Sequence, residues 1–497
     1  MADKILEVKH LRKYFPQQTN FFGKPQSFLR AVDDVSLYIE EGKTLGIVGE
    51  SGCGKTTLGR TILRLHEPTS GEVLFKKLDG EVVDITKLKK EELRKLRPQI
   101  QIIFQDPYSS LSPRMPVGEI IGEAVRVHNI VPKEEYKDYI LDVMQKCGLQ
   151  THYFERYPHE FSGGQRQRIC IARALALKPR LVICDEPVSA LDVSIQAQVI
   201  NLLKDLQTDF GFSYMFISHD LSVVEHISDN VGVMYLGSMV ETGPKEKIFS
   251  NPMHPYTKAL FSAVPVPDPN VKMNRIILKG DIPSPANPPR GCKFHTRCIE
   301  CMDICKEITP FFNEYEPGHF CACHKYAQNR EILDTYMYIK SLLDGYKATE
   351  EKESKIAALT DRQLKSYNSL VLKMFIIEDK LVLAMAGDPQ KTQELSEKYG
   401  LTITAMKEKR YKKTPLVCTV NNKEEAEKAI KLIDGVFEAE GFSKSAKGEV
   451  ETRFTSSDDA EFRSGSLLYL IPKAIEKEKT KREEAAKQAA AEKANKQ

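Results

Sequence analysis

The chain has 497 residues, 41% of them hydrophobic and 28% charged, and a formal net charge of +3. That length predicts roughly two to four domains, and the near-balanced charge gives no argument for nucleic acid as a partner. No apolar run of about 18 residues is present to span a bilayer, and the polar start Met1-Ala2-Asp3-Lys4 lacks a signal core, which argues against export.

Along residues 4–48 apolar and polar side chains alternate, with Ile5, Leu6 and Val8 and then Val35, Leu37 and Ile39 in the strand pattern. Leu45-Gly46-Ile47-Val48 is continuously apolar and predicts a buried parallel strand, as do Leu181 to Cys184 and Tyr214 to Ile217. Helical patterns such as Gln196 to Asp209 separate these runs, so the core is predicted to be a parallel α/β sheet. A proline-punctuated helical lobe is expected over about 107–175. Pro252, Pro255, Pro265, Pro267 and Pro269 close this first domain, 1–262, and a proline- and cysteine-rich module follows over 263–330. A helical connection is expected over 331–365, then a small α+β domain over 366–473. Within it, 370–377 and 380–386 predict a hairpin around Glu378-Asp379; 401–406, 415–420 and 467–471 predict strands, and Lys423 to Val436 an amphipathic helix. The Ala-, Lys- and Glu-rich segment 474–497 reads as a solvated helix or a disordered tail.

Gly49-Glu50-Ser51-Gly52-Cys53-Gly54-Lys55-Thr56 fits G-x-x-x-x-G-K-[ST], after a predicted strand and before a helical run from Thr57. Its glycines open a loop whose N–H groups converge on phosphate oxygens. Lys55 adds a point charge toward the β- and γ-phosphates, and the Thr56 hydroxyl suits Mg²⁺. Asp185 and Glu186 end an apolar strand, where the first can reach the Mg²⁺ shell and the second can polarise a water. His219 and Gln105 also follow predicted strands, on the side where ligands bind in such sheets. Ser162-Gly163-Gly164-Gln165 is a second glycine-rich element, and a helix starting just after its glycines would add positive dipole to an anion site. Alone it is half of such a site.

These residues give residues 4–325 their resemblance to the ATP-binding subunits of ABC transporters. Gly49 to Thr56 matches the Walker A loop, with Thr57 beside it, and Gln105 matches the Q-loop. Ser162, Gly163, Gly164 and Gln165 match the signature, with Phe161 where leucine is usual. Asp185 and Glu186 match the Walker B aspartate and catalytic glutamate, Ser189, Ala190, Leu191 and Asp192 the D-loop, and His219 the switch histidine. Phe15 sits where the family stacks an aromatic ring on adenine, with Tyr14 as the alternative ring. The resemblance implies a P-loop NTPase core of RecA type, an antiparallel β subdomain and a helical subdomain. It also implies ATP and Mg²⁺, the ion organised by Thr56, Gln105 and Asp185, and two subunits packed head to tail. Each ATP then lies between one subunit's Walker A and the other's signature.

Six cysteines fall between Cys292 and Cys323, a density that favours metal over disulfides in a cytosolic chain. Their irregular spacing leaves both Zn²⁺ and an iron–sulfur cluster open. Asn251 to Leu260, Pro283-Ser284-Pro285, Gly291 to His295 and Gly318 to His324 resemble the oligopeptide and dipeptide permease subfamily. That resemblance implies a [4Fe–4S] cluster on Cys292, Cys298, Cys305 and Cys323, with Cys301 and Cys321 as extra thiols. Val264 to Pro269 and Met234 to Gly237 further resemble the F-type ATPase subunit. The implied partners are a D-type sister ATPase, two membrane permease subunits and, indirectly, an extracellular peptide-binding protein. The implied place is peripheral, on the cytoplasmic face of the membrane. Two readings compete: a soluble ABC-type ATPase not tied to transport, and an importer of another solute such as nickel. Residues 366–473 resemble no named family and are read as a regulatory or partner-docking domain.

Overall fold

The computed structural model describes residues 3–19, 25–263, 275–327, 333–334, 336–337, 346–348, 373–377, 380–387, 392–405, 414–439 and 442–444. The chain divides into two compact units, Met1–Met302 with Pro310–Cys323, and Asp303–Thr309 with His324–Gln497. The expected strand over 467–471 and the tail lie outside the described residues.

In the first unit β1 (Lys4–Thr19), β2 (Pro25–Glu40), β4 (Ser70–Lys76) and β5 (Val82–Asp84) form an antiparallel sheet in the order β2-β1-β4-β5. β3 (Thr44–Val48), β6 (Ile100–Ile103), β7 (Leu181–Asp185), β8 (Ser213–Ile217) and β9 (Asn230–Tyr235) run parallel in the order β9-β3-β8-β7-β6. β10 (Ser238–Pro244), β12 (His319–Cys321) and β11 (Asn313–Glu316) extend the β9 edge antiparallel, so residues after the first cysteines complete the same sheet.

The continuous apolar runs have a direct physical cause. In β3, β7 and β8 every residue is buried, because both faces of the sheet are covered. Val48, Val182, Cys184, Tyr214 and Phe216 point into one core, whereas Leu45, Ile47, Leu181, Ile183, Met215 and Ile217 point into the other. The first of these cores also takes the helices Val117–Val127, Tyr136–Lys146 and Gly163–Leu175, which occupy the stretch expected to be helical.

The second unit contains an antiparallel sheet ordered 373–377, 380–387, 414–420, 403–405. The first pair is the expected hairpin, with Ile377 opposite Lys380. A helix at Thr392–Tyr399 was not expected. On the helix Lys423–Ala439, Ala426, Ala429, Leu432 and Ile433 are buried at helical spacing. Cys418 is a buried strand residue, as expected, and burial pushes its thiol up to about 12.

Candidate functional site

The parallel strands deliver the chemistry at their C-terminal ends. Gly49 follows β3, Gln105 lies just beyond β6, Asp185 ends β7 and His219 follows β8. The phosphate loop runs from Gly49 to Gly54, and its helix starts at Lys55, two residues before the expected Thr57. Gly54 holds φ 105° as the helix N-cap, and a Cβ there would lie 2.0 Å from the Ala31 carbonyl oxygen, so both the backbone and the space demand glycine. Ser51 and Gly52 are exposed, Cys53 is buried, and Thr57 is half-buried in the first turn.

Lys55 is only 5% exposed, and its ammonium donates to the carbonyls of Gly49 at 2.8 Å and Glu50 at 3.1 Å. The Thr56 hydroxyl donates to Asp185 Oδ1 at 2.7 Å. Asp185 is 1% exposed; its Oδ2 has no hydrogen-bond partner, although the Arg60 guanidinium is 3.6 Å away. Burial raises the Asp185 carboxyl pKa, against the Thr56 hydrogen bond and Arg60, which lower it. A desolvated carboxylate with an unsatisfied oxygen beside a hydroxyl is a hard donor set that fits Mg²⁺.

Glu186 holds φ 48°, a left-handed conformation that costs energy for a residue with a Cβ. Its backbone N–H is tied to the Ile217 carbonyl at 3.0 Å. The strained turn aims the carboxylate at two other predicted residues. Gln105 Nε2 donates to Glu186 Oε2 at 2.8 Å, and His219 Nδ1 lies 3.3 Å from the same oxygen. Gln105 thus engages Glu186, where the resemblance assigned it to the ion. The D-loop follows directly: the Ser189 hydroxyl donates to the Glu186 carbonyl at 3.1 Å, Ala190 and Asp192 are exposed, and Leu191 is half-buried.

The signature lies elsewhere on the unit's surface chemistry. Ser162 is exposed and N-caps the helix Gly163–Leu175, accepting from the Gln165 N–H at 3.4 Å. Gln165 Oε1 returns the bond, accepting from the Ser162 N–H at 3.1 Å, which closes a capping box. The helix therefore begins at the first glycine, not after the pair. Gly164 is needed for packing, since a Cβ would sit 2.5 Å from Ile195 Cγ2. Phe161 is buried, with its ring 5.1 Å from Tyr153 edge-on, so the larger side chain is absorbed by the core.

Of the two candidate adenine rings, Tyr14 is 7% exposed and donates its hydroxyl to Asp33. Phe15 is half-buried, beside His66 at 5.5 Å and under the Lys13 ammonium at 4.7 Å. Phe15 is the more exposed of the two rings.

The cysteines divide between the units. Cys292, Cys298, Cys301, Cys321 and Cys323 belong to the first and Cys305 to the second. Burial pushes the Cys321 thiol up, with Glu241, Cys323 and Cys292 adding to the effect. Among the described residues, no group of three or more His, Cys, Asp or Glu side chains is gathered so as to hold a metal ion. The described residues therefore do not assemble the iron–sulfur or zinc site that the resemblance implies.

Residues 32–189 match the ABC transporter family, and residues 240–305 match the oligopeptide/dipeptide transporter C-terminal region. The oligopeptide transport ATP-binding protein AppF of Bacillus subtilis is 55% identical over 328 residues, spanning 65% of this chain and 98% of that protein. The chain belongs to the ATP-binding subunits of ABC transporters. The dipeptide transport ATP-binding protein DppF of Haemophilus influenzae is 50% identical over 319 residues, covering 64% of this chain and 96% of the relative. Among solved structures, a dimeric ATP-binding cassette bound to ADP and phosphate matches with TM-score 0.43 and 27% identity, over 48% of this chain and 98% of that one. Among the described residues of this ABC subunit, no helix is long and apolar enough to cross a membrane.

Sequence reasoning missed three neighbours of the site: Arg60 beside Asp185, and Tyr256 and Arg297 on Glu50. Arg60 lies one turn beyond Thr56 on the same helix, a spacing that offers a signal. The other two are more than 200 positions away, and no local pattern marks them.

Proposed function

We propose that the chain is the ATP-hydrolysing subunit that powers an ABC importer of oligopeptides or dipeptides. The observation that carries the reaction is the convergence of Gln105 and His219 on Glu186 Oε2, one residue after the Asp185 that holds Thr56. Glu186 orients the attacking water and takes its proton, and Gln105 and His219 fix the carboxylate's direction. Lys55 turns from the loop carbonyls to the β- and γ-phosphates, and His219, largely exposed, reaches the transferring phosphoryl. Mg²⁺ held by Thr56 and Asp185 would neutralise charge on the phosphate oxygens. Phe15 stacks on adenine.

The exposed capping box at Ser162 to Gln165 supports a trans role, in which the signature meets ATP held by a second ATPase subunit. That subunit is a D-type sister, and the pair sits on two permease subunits at the cytoplasmic face of the membrane. An extracellular binding protein delivers the peptide. The names of the relatives support peptides as the solute. Co-expression with the neighbouring permease and sister ATPase genes tests the whole reading: a copurifying complex whose ATPase rises with peptide-loaded binding protein is expected. A free ATPase indifferent to those subunits would mean a soluble machine, and stimulation by nickel alone would change the solute.

A [4Fe–4S] cluster on Cys292, Cys298, Cys305 and Cys323 is the finer part of this reading. The subfamily resemblance supports it; the described residues gather no donor set for it, and no step of hydrolysis depends on it. Iron and sulfide analysis after anaerobic purification decides, and stoichiometric zinc or no metal would remove it. Residues 366–473 are assigned a regulatory or docking role; deletion of 350–497 with unchanged uptake and assembly would refute that.

A further inference from the structure

Glu50, the second residue of the phosphate loop, places a carboxylate at the rim of a site built for anions. The loop motif does not require an acid there. Two groups from the far end of the first unit hold it. Arg297 grips the carboxylate with both arms, Nη1 to Oε2 at 2.8 Å and Nη2 to Oε1 at 3.1 Å. The Tyr256 hydroxyl accepts from the Glu50 N–H at 2.9 Å. Arg297 is 9% exposed, so the pair is screened poorly and its fork geometry is held firmly.

The support behind this grip is an aromatic cluster. Tyr256, Tyr235 and Phe294 pack against one another with ring centroids 4.8, 5.2 and 5.4 Å apart. Next to Phe294, Lys293 donates to Asp33 Oδ2 at 2.6 Å and to Ser238 Oγ at 2.6 Å. Asp33 stands two residues after Ala31, whose carbonyl forms the wall against Gly54. The Arg30 N–H donates to the Pro285 carbonyl at 3.1 Å. Residues 285–297 therefore hold both the loop and one wall of its cradle.

We infer that Arg297 is a positioning residue of the nucleotide site, which neutralises and immobilises Glu50 so that the phosphate loop accepts a polyanion. The inference rests on the nucleotide-site reading above. Without the guanidinium, Glu50 becomes an unpaired carboxylate free to swing toward the triphosphate. Its repulsion, not a loss of packing, would then weaken ATP binding.

The charge mechanism predicts a specific pattern in four full-length variants, measured by equilibrium binding of a fluorescent ATP analogue with Mg²⁺. Arg297→Ala should weaken binding about tenfold, as expected for an exposed like charge near the ligand. Glu50→Gln alone gives the affinity of a loop without the carboxylate and is the reference for the double variant. Adding Glu50→Gln to Arg297→Ala should bring affinity back to within about threefold of Glu50→Gln alone. Higher salt should shrink the Arg297→Ala defect. In steady-state hydrolysis the defect should appear in KM for ATP, with kcat held within about twofold. A purely structural arginine would give no rescue by Glu50→Gln and no salt dependence. Wild-type affinity in Arg297→Ala, or a double variant as weak as Arg297→Ala with an unchanged melting curve, overturns the inference. Should Arg297→Ala fail to fold, Arg297→Gln keeps bulk and hydrogen-bonding groups without the charge, and its binding defect must be relieved by Glu50→Gln, or the charge argument fails. Lys55→Ala separates the two levels: if it binds the analogue normally, the nucleotide-site reading itself falls.

Discussion

The two glycine-rich elements of this ABC subunit solve opposite problems. The phosphate loop is enclosed: Lys55 and Asp185 are buried, Glu186 is held in a strained turn, and the Thr56–Asp185 and Gln105–Glu186 hydrogen bonds join residues from different strand ends. The signature is exposed and satisfied by its own capping box, Ser162 with Gln165. Its second glycine packs against Ile195, where a Cβ would lie 2.5 Å from Cγ2. The contrast teaches that glycine enrichment alone does not define a phosphate site. Enclosure does, and the proposed trans role would supply it to the signature from a second subunit.

The sharpest way to break this comparison is at Glu186. Glu186→Gln keeps the shape and the Gln105 contact but removes the base, so phosphate release should fall by about 10³-fold. ATP binding should persist, because Lys55 and Thr56 are untouched. Rapid turnover in the variant would deny Glu186 its role. On the proposed trans role of the signature, a smaller effect, about 10²-fold in hydrolysis, is expected for Ser162→Arg. Affinity for ATP at this chain's own loop should stay within about twofold of wild type. If affinity drops in parallel with hydrolysis, the signature acts in cis and the division of labour is wrong.

The aromatic choice sharpens the enclosed half. Phe15→Ala should weaken nucleotide binding about tenfold through the lost stacking surface, whereas Tyr14→Phe should leave binding unchanged and lower thermal stability. Tyr14 spends its hydroxyl on Asp33, which Lys293 also holds. The opposite ranking, measured by equilibrium binding, would transfer the adenine contact to Tyr14.

What could be read from the sequence follows a physical rule. Gly49 to Thr56, Asp185-Glu186 and His219 were readable because strand ends set their chemistry through residues adjacent in the chain. The buried strands were readable because two covered faces force continuous apolar runs. The grip of Arg297 on Glu50 was not readable, since it joins positions 247 apart. Nor was the service of Gly164 to helix packing, because a glycine's neighbours are invisible until the fold exists. The helix Thr392–Tyr399 escaped for a third reason: its polar sequence, TQELSEKY, carries almost no apolar stripe. The cysteine set remained a matter of spacing, and the fold divides it, with Cys305 in the second unit.

The smallest predicted effect concerns the support of the enclosed half, at His254. This fully buried imidazole caps the helix that carries Tyr256, accepting from the Tyr256 N–H at 3.1 Å. Burial drives its pKa down from 6.5 to about 4, with Lys258 assisting and Glu241 and Glu300 opposing. The unfolded chain then binds the extra proton first as pH falls. Stability is therefore complete above the ordinary histidine pKa and is lost progressively between 6.5 and about 4. The slope from this one group is at most about 1.4 kcal/mol per pH unit. Asparagine can accept the same N–H and is a favoured helix cap, but it does not titrate. His254→Asn should therefore flatten the fall in unfolding free energy between pH 6.5 and pH 4.5, measured by urea denaturation, by about 1 kcal/mol per pH unit. An unchanged slope would mean that the acid sensitivity of this support lies in groups other than His254, and that His254 takes up its proton as readily in the folded protein as in the unfolded chain.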